Sequence, residues 1–232
     1  MTTTHLYYFP LSDLPEAFDD KSLTSVLDVR ELQRFNDTLN ANTRLQFVLS
    51  RWIVKHGLSR VTGLPAQAHQ FSYLESGKPF IDLPRPVHFS IAHCATSVAV
   101  AISDVSVGVD VENNQRKGAP WQQLDRFFYP DLQARMLALP ESMHQDFFYL
   151  HWTGMESMVK MKGSKVALER RTFAQSFELP LNENYVDAGD THFYFRLVEQ
   201  HEHLAVASEK RIDKFHLERV LLTQEGIKTA PL

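Results

Sequence analysis

The chain has 232 residues, 44% of them hydrophobic and 22% charged, with 16 phenylalanines, a length that buries a sizeable core and a composition that excludes disordered and collagen-like classes. A formal charge of −4 argues against general nucleic-acid binding, which needs a basic face, although Lys160, Lys162, Lys165, Arg170 and Arg171 form a local basic patch. A single cysteine, Cys94, excludes an internal disulfide and a CxxC metal site, and no apolar run reaches membrane-spanning length, so the expectation is a soluble, cytoplasmic protein without a membrane partner.

In chain order, THLYYF reads as a first strand. From Asn40 to His56, Leu45, Phe47, Val48, Trp52 and Ile53 recur at helical spacing, with Gly57 placed as a stop and Arg44 and Arg51 flanking the stripe so that they face outward. After the turn signal ESGKP come VHFSIAH, SVAVAISD and SVGVDVE, three short β-rich runs expected to lie side by side. LDRFFYPDLQARMLALP and SMHQDFFYLHWTGMESMVKMKG read as helices, the second stopped by Gly163, and THFYFRLVEQ and HLAVAS return to strand. The order predicts an α+β protein in two comparable halves, residues 1–105 and 106–232.

The run SVGVDVENNQ poses the chemical question. Side chains alternate along a strand, so Asp110 and Glu112 point the same way, about 6 to 7 Å apart, and repel unless a cation lies between them. In the later helix Trp152, Met155 and Val159 form an apolar stripe, while Glu156 and Lys160 sit at i, i+4 on a neighbouring face. Alone, that pair is an ordinary surface salt bridge, or Glu156 closes a capping box begun by Thr153. Together with Asp110 and Glu112 it supplies oxygen ligands for a hard divalent cation and an ammonium for a phosphate ester.

At this point the residues resemble a family. GVDVE (108–112), followed some forty residues later by WTGMESMVKMKG (152–163), is similar to the paired signature of 4′-phosphopantetheinyl transferases, whose second motif is W-x-x-K-E-[AS]-x-x-K-x-x-G. GKP (77–79), HFSIAHC (88–94) and DRFFYPDL (125–132) fall in order around them, and NTRLQFVLSRWIV resembles the arginine-bearing helix of the longer, surfactin-synthetase-activating branch. The resemblance covers about residues 34 to 168 and implies two similar α/β halves in a pseudo-twofold arrangement, with the active site in the cleft between them. It implies transfer of the phosphopantetheine arm of coenzyme A to a serine of an apo carrier protein, of the acyl, polyketide or peptidyl kind, by a monomer. Asp110, Glu112 and Glu156 would bind Mg²⁺, with Glu156 also the base and Lys160 on the diphosphate. His93 and Arg44 would meet the 3′-phosphate, and Lys78 and Pro79 the adenine. Carriers of this family are acidic, which makes Arg126, Lys165, Arg170 and Arg171 their counter-charges.

Two departures set the alternative. Met155 stands where the family has a lysine, and Ala92 and Cys94 where it has serines. Loss of one cation near the phosphates weakens binding by about 1 to 3 kcal/mol, and the corresponding reading is a degenerate protein that holds coenzyme A or a carrier with little turnover, repaired by Met155→Lys. A metal-dependent phosphohydrolase is a third reading. His201 and His203, at i and i+2, share a face and are candidate transition-metal ligands without a third partner in the sequence nearby. Cys94 follows His93 on a strand, so the two point apart and a nucleophilic pair is not expected.

Overall fold

The computed structural model describes residues 1–15, 18–115, 124–176, 184–223 and 226–232. The elements are β1 (Thr3–Pro10), α1 (Val29–Asp37), α2 (Ala41–Thr62), β2 (Ser72–Tyr73), β3 (Pro79–Phe80), β4 (His88–His93), β5 (Ser97–Ser103) and β6 (Val107–Asn113). They continue with α3 (Leu124–Phe127), α4 (Pro130–Leu137), α5 (His144–Lys162), α6 (Val166–Ser176), β7 (Tyr185–Asp187), β8 (His192–Val198), β9 (Glu202–Ser208), β10 (Lys214–Thr223) and β11 (Gly226–Pro231). The protein is therefore α+β, as its sequence pattern predicts.

Two sheets carry the fold, in the orders β11-β10-β1-β5-β4 and β6-β9-β8-β7. Period-2 alternation divides each strand between two cores. Tyr7, Phe9, Val98, Val100 and Ile102 of the first sheet pack with Val48, Ile53 and Leu58 of α2. Leu6, Tyr8, Ala99 and Ala101 point the other way and meet Val107, Val109, Val111, Leu204 and Val206 of the second sheet. The opposite face of that sheet packs Ala205 and Ala207 against Phe148, Met155 and Met158 of α5. The layers thus run helix, sheet, sheet, helix, and nearly continuous apolar strands follow from burial on both faces.

Several expectations are corrected. The three β-rich runs are not all neighbours: β4 pairs with β5, whereas β6 pairs with β9 in the second sheet. Valines at 107, 109 and 111 face the first sheet instead of extending it. The boundary at residue 105 is crossed, because β10 returns to pair in parallel with β1 and brings β11 with it. Gly57 does not stop α2, which runs on to a left-handed Gly63. A Cβ at Gly57 would lie 2.7 Å from Ile102 Cδ1 and 2.8 Å from Tyr7 Cε2, so its role is close approach of helix to sheet. The helix expected from Leu124 is two, α3 and α4, broken where Pro130 takes the first position of α4. Thr153 lies inside α5 with its hydroxyl donating to Tyr149 O, 2.8 Å, which removes the capping-box reading.

Arg51 does not face outward. It is buried, with Nε 2.8 Å from Glu31 Oε1, and Lys55 Nζ lies 2.6 Å from Glu31 Oε2. The Arg51 contact is an ion pair too bent to count as a hydrogen bond. Glu31 also closes the capping box of α1 with Asp28, so one side chain fixes α1 against α2.

Candidate active site

The site is built where β6 lies against α5. Gly108 makes the approach possible: a Cβ there would sit 1.9 Å from the backbone oxygen of Ser157 and 2.4 Å from Met161 N, closer than any L-residue allows. With the strand so close, its next two residues on that face, Asp110 and Glu112, meet the helix positions one and two turns along. Lys160 Nζ donates to Asp110 Oδ1 at 2.6 Å, and Trp152 Nε1 donates to Glu112 Oε1 at 3.2 Å. Lys160 therefore pairs across to the strand and not with Glu156 on its own helix.

Asp110 is only 6% exposed, and its Oδ2 has no hydrogen-bond partner among the described residues. Glu156 is half-buried beside it; burial first, and then the charge of Asp110, raise its carboxyl above the ordinary range, while Lys160 pulls it back. Such a carboxyl is a better proton acceptor near neutral pH than an exposed one. Among the described residues no three His, Cys, Asp or Glu side chains stand close enough together to hold a metal as they are. The donor chemistry nevertheless suits a hard divalent cation: carboxylates from facing elements, one buried oxygen unpartnered, and two carboxyls close enough to raise a pKa.

Two cavities flank this row. One, about 360 Å³, is bounded by β2, β3, β4 and the end of α5, and carries Arg34, Arg51, Lys78 and Lys160 with Tyr73 and Ser90. Lys78 and Pro79 of the GKP turn lie in its wall. The Lys78 ammonium donates to Met161 O, and burial lowers its pKa to about 8. Arg51 reaches the hydroxyl of Tyr73 at 3.3 Å. The second cavity, about 640 Å³, is lined by His93, Cys94, Thr96, Glu112 and several amide side chains. His93 sits at the junction, within the fields of Lys160, Asp110 and Arg34, and burial lowers its pKa.

The structure thus gathers Asp110, Glu112, Glu156, Lys160, Lys78, Pro79 and His93 around one cleft, but not Arg44. That guanidinium pairs with Asp20 at 2.8 Å and rests on the Phe35 ring. Arg34, Arg51, Tyr73 and Ser90 line the cleft without having been singled out. Arg51 was hidden because its place in an apolar helix gave no hint of the Glu31 partner that lets it be buried. Met155 is 0% exposed in the core of the second half, and Ala92 is buried between the sheets; neither presents its side chain to the cleft. Lys162 pairs with Glu169 at 2.9 Å. His203 is buried between Tyr149 and Asp146, whereas His201 lies in the β8–β9 turn.

A family profile described as the 4′-phosphopantetheinyl transferase superfamily matches residues 106–212, which contain every acidic residue of the site. Over those residues the chain is similar to the 4′-phosphopantetheinyl transferase superfamily. Among its relatives, 4′-phosphopantetheinyl transferase Sfp of Bacillus subtilis (strain 168) is 32% identical over 123 residues, 53% of this chain and 54% of the relative. A second 4′-phosphopantetheinyl transferase of Bacillus subtilis is 26% identical over 122 residues, 53% of this chain and 54% of the relative. The protein gsp of Aneurinibacillus migulanus, named in the same way, is 24% identical over 169 residues, 73% of this chain and 65% of the relative. The matched region spans about half the length of the first two. No helix among the described residues is long and apolar enough to cross a membrane.

Proposed function

We propose that this protein transfers the 4′-phosphopantetheine arm of coenzyme A to a serine of an apo carrier protein. The observation that carries the reading is the Asp110–Glu112–Glu156 row, with its buried, unpartnered Asp110 oxygen, set beside a cavity holding four cationic side chains. Phosphoryl transfer asks the protein for positioning and charge neutralisation more than for covalent chemistry. Arg34 and Lys78 take the nucleotide phosphates and Lys160 the diphosphate, while Arg51, paired with Glu31, shapes the cavity wall. Glu156, its carboxyl raised by burial, accepts the proton of the serine hydroxyl. The serine oxygen forms its bond to the phosphorus bearing the pantetheine arm as the bond to adenosine 3′,5′-bisphosphate breaks. Mg²⁺, held by Asp110, Glu112 and Glu156, would supply neutralisation of the diphosphate charge.

We take the two helix-on-sheet halves as a pseudo-twofold pair with the site in the cleft between them, β10 and β11 being lent to the first sheet. An acidic carrier fits the exposed Lys165, Leu168 and Arg171 at and beside α6. A reducing compartment agrees with the lone cysteine, and a monomer is what the resemblance to the longer branch implies. The degenerate-protein alternative now rests on Cys94, which lines the second cavity, since Met155 and Ala92 lie in cores. The test is intact-mass analysis of an apo acyl or peptidyl carrier incubated with the protein, coenzyme A and Mg²⁺. The expected result is a gain of one phosphopantetheine arm, lost with chelator and with Glu156→Gln; an unmodified carrier across both kinds ends the reading.

A further inference from the structure

Along α5, Trp152, Glu156 and Lys160 stand at i, i+4 and i+8 and form one stripe about 12 Å long. The stripe lies over a strand on which Asp110 and Glu112 are about 7 Å apart. Lys160 donates to Asp110 at 2.6 Å and Trp152 Nε1 to Glu112 Oε1 at 3.2 Å, so helix and strand run in opposite senses and the two ends of the stripe reach inward. Glu156 stands on the turn between them. Each strand carboxylate is thus tied to α5 through one oxygen.

The two ties differ in charge. Lys160 brings a cation that offsets the charge of Asp110, whereas an indole N–H directs a carboxylate oxygen and leaves the group its full negative charge. A ligand for a divalent cation needs both that charge and a fixed direction.

The indole is itself fixed. Its ring meets Phe127 of α3 edge-on at 5.0 Å and lies parallel to Phe148, one turn back along α5, at 6.3 Å. Phe127 and Phe148 also meet each other edge-on, at 5.6 Å. Rings packed against two sides of the indole set the plane from which its N–H projects, so the direction of the bond comes from the aromatic core of the second half and not from Glu112. A donor held in this way preorganises its acceptor.

We propose that Trp152 is a positioning residue that orients the Glu112 carboxylate toward a divalent cation, as the neutral counterpart of Lys160 at Asp110. The proposal rests on the metal-binding part of the transferase reading. A tryptophan that only packed would have no use for its nitrogen, and phenylalanine would serve in its place.

Two measurements on the full chain separate the bond from the packing. The first needs no metal: in the ¹⁵N–¹H spectrum the Trp152 indole resonance, assigned by its absence from Trp152→Phe, is expected to move upfield in Glu112→Gln, where a charged acceptor becomes a neutral one. An unmoved resonance overturns the proposal. The second follows Mn²⁺ through the electron paramagnetic resonance of the free ion, with the protein saturated in coenzyme A. Trp152→Phe, compared at equal folded fraction, is expected to weaken Mn²⁺ binding about tenfold. Added to Glu112→Gln, the same substitution is expected to change it by less than about twofold, because the group it orients has already been removed. Unchanged affinity in Trp152→Phe, or an equal loss in both backgrounds, would make the residue packing alone and overturn the proposal while the transferase reading stands. If the native protein with coenzyme A binds no Mn²⁺, the metal set of Asp110, Glu112 and Glu156 falls and the proposal falls with it.

Discussion

Glu31 and Asp110 are both buried carboxylates, and each meets a lysine at 2.6 Å, Lys55 in one case and Lys160 in the other. What surrounds the two pairs separates them. The second oxygen of Glu31 meets Arg51 and its lysine is 1% exposed, so the cluster is closed on itself. The second oxygen of Asp110 meets no hydrogen-bond donor among the described residues, its lysine is 30% exposed, and another carboxylate, Glu156, lies close enough to feel its charge. A buried carboxylate with both oxygens matched holds a fold together, and one left half-matched beside a like charge is poised to receive a ligand.

Neutral isosteres should therefore act in opposite ways at the two positions, and these are the largest effects expected. Glu31→Gln leaves the buried Lys55 and Arg51 without their counter-charge and is expected to cost about 3 to 5 kcal/mol of unfolding free energy by denaturant titration. Asp110→Asn keeps the shape and removes a charge that already repels Glu156. It is expected to lower the rate of carrier modification by about a hundredfold or more while moving stability by less than about 1 kcal/mol. A stability loss at Asp110 as large as that at Glu31 would erase the distinction.

The half-matched pair was the legible one. Asp110 and Glu112 at strand spacing, and Glu156 and Lys160 at helix spacing, put chemistry on one face by local periodicity alone, and Gly163 marked the end of α5. The closed cluster was not legible, because Glu31 and Lys55 are 24 residues apart and nothing local requires them to meet. The same limit explains β10 and β11: a parallel pairing of the last strands with the first depends on long-range topology that no short window carries. The resemblance implied a phosphate contact for Arg44, yet Asp20, outside any periodic segment, holds it.

Met155→Lys tests where the missing family lysine belongs. If position 155 served the cleft, the added cation would speed transfer. Its complete burial among Phe148, Met158 and Phe173 predicts instead an uncompensated charge in a core and a loss of about 3 kcal/mol of stability, with no gain in rate per folded molecule. Increased turnover would place the α5 cation beside the substrate and reopen the degenerate reading of the native chain.

Glu202 extends the comparison to a carboxylate matched by hydroxyls, accepting from Tyr8 at 2.8 Å, from Ser97 at 2.5 Å and from Thr96. Because Tyr8 and Ser97 belong to the first sheet and Glu202 to the second, the network fastens the two sheets at the wall of the second cavity. Glu202→Gln turns one acceptor oxygen into a donor facing donors, and is expected to cost about 1 to 3 kcal/mol. The accompanying loss of activity should follow the fraction folded, unlike that of Asp110→Asn.

The smallest expected effect sharpens the contrast from the cationic side. Lys78 is matched by a backbone carbonyl and, among the described residues, by no carboxylate contact, and burial brings its pKa down to about 8. The charged form prevails below that value and is lost as the pH rises through it, so an anion bound in its cavity loses one cationic partner between pH 7 and 9. Calorimetry with adenosine 3′,5′-bisphosphate should show affinity falling by about three- to tenfold across that range, tenfold being the limit that deprotonation through a pKa of about 8 sets. Lys78→Arg, which stays protonated throughout, should remove the dependence while keeping binding at pH 7. An unchanged pH profile in that variant would move the titrating group elsewhere and leave Lys78 as a strut for the end of α5, tied to Met161 and not to the ligand.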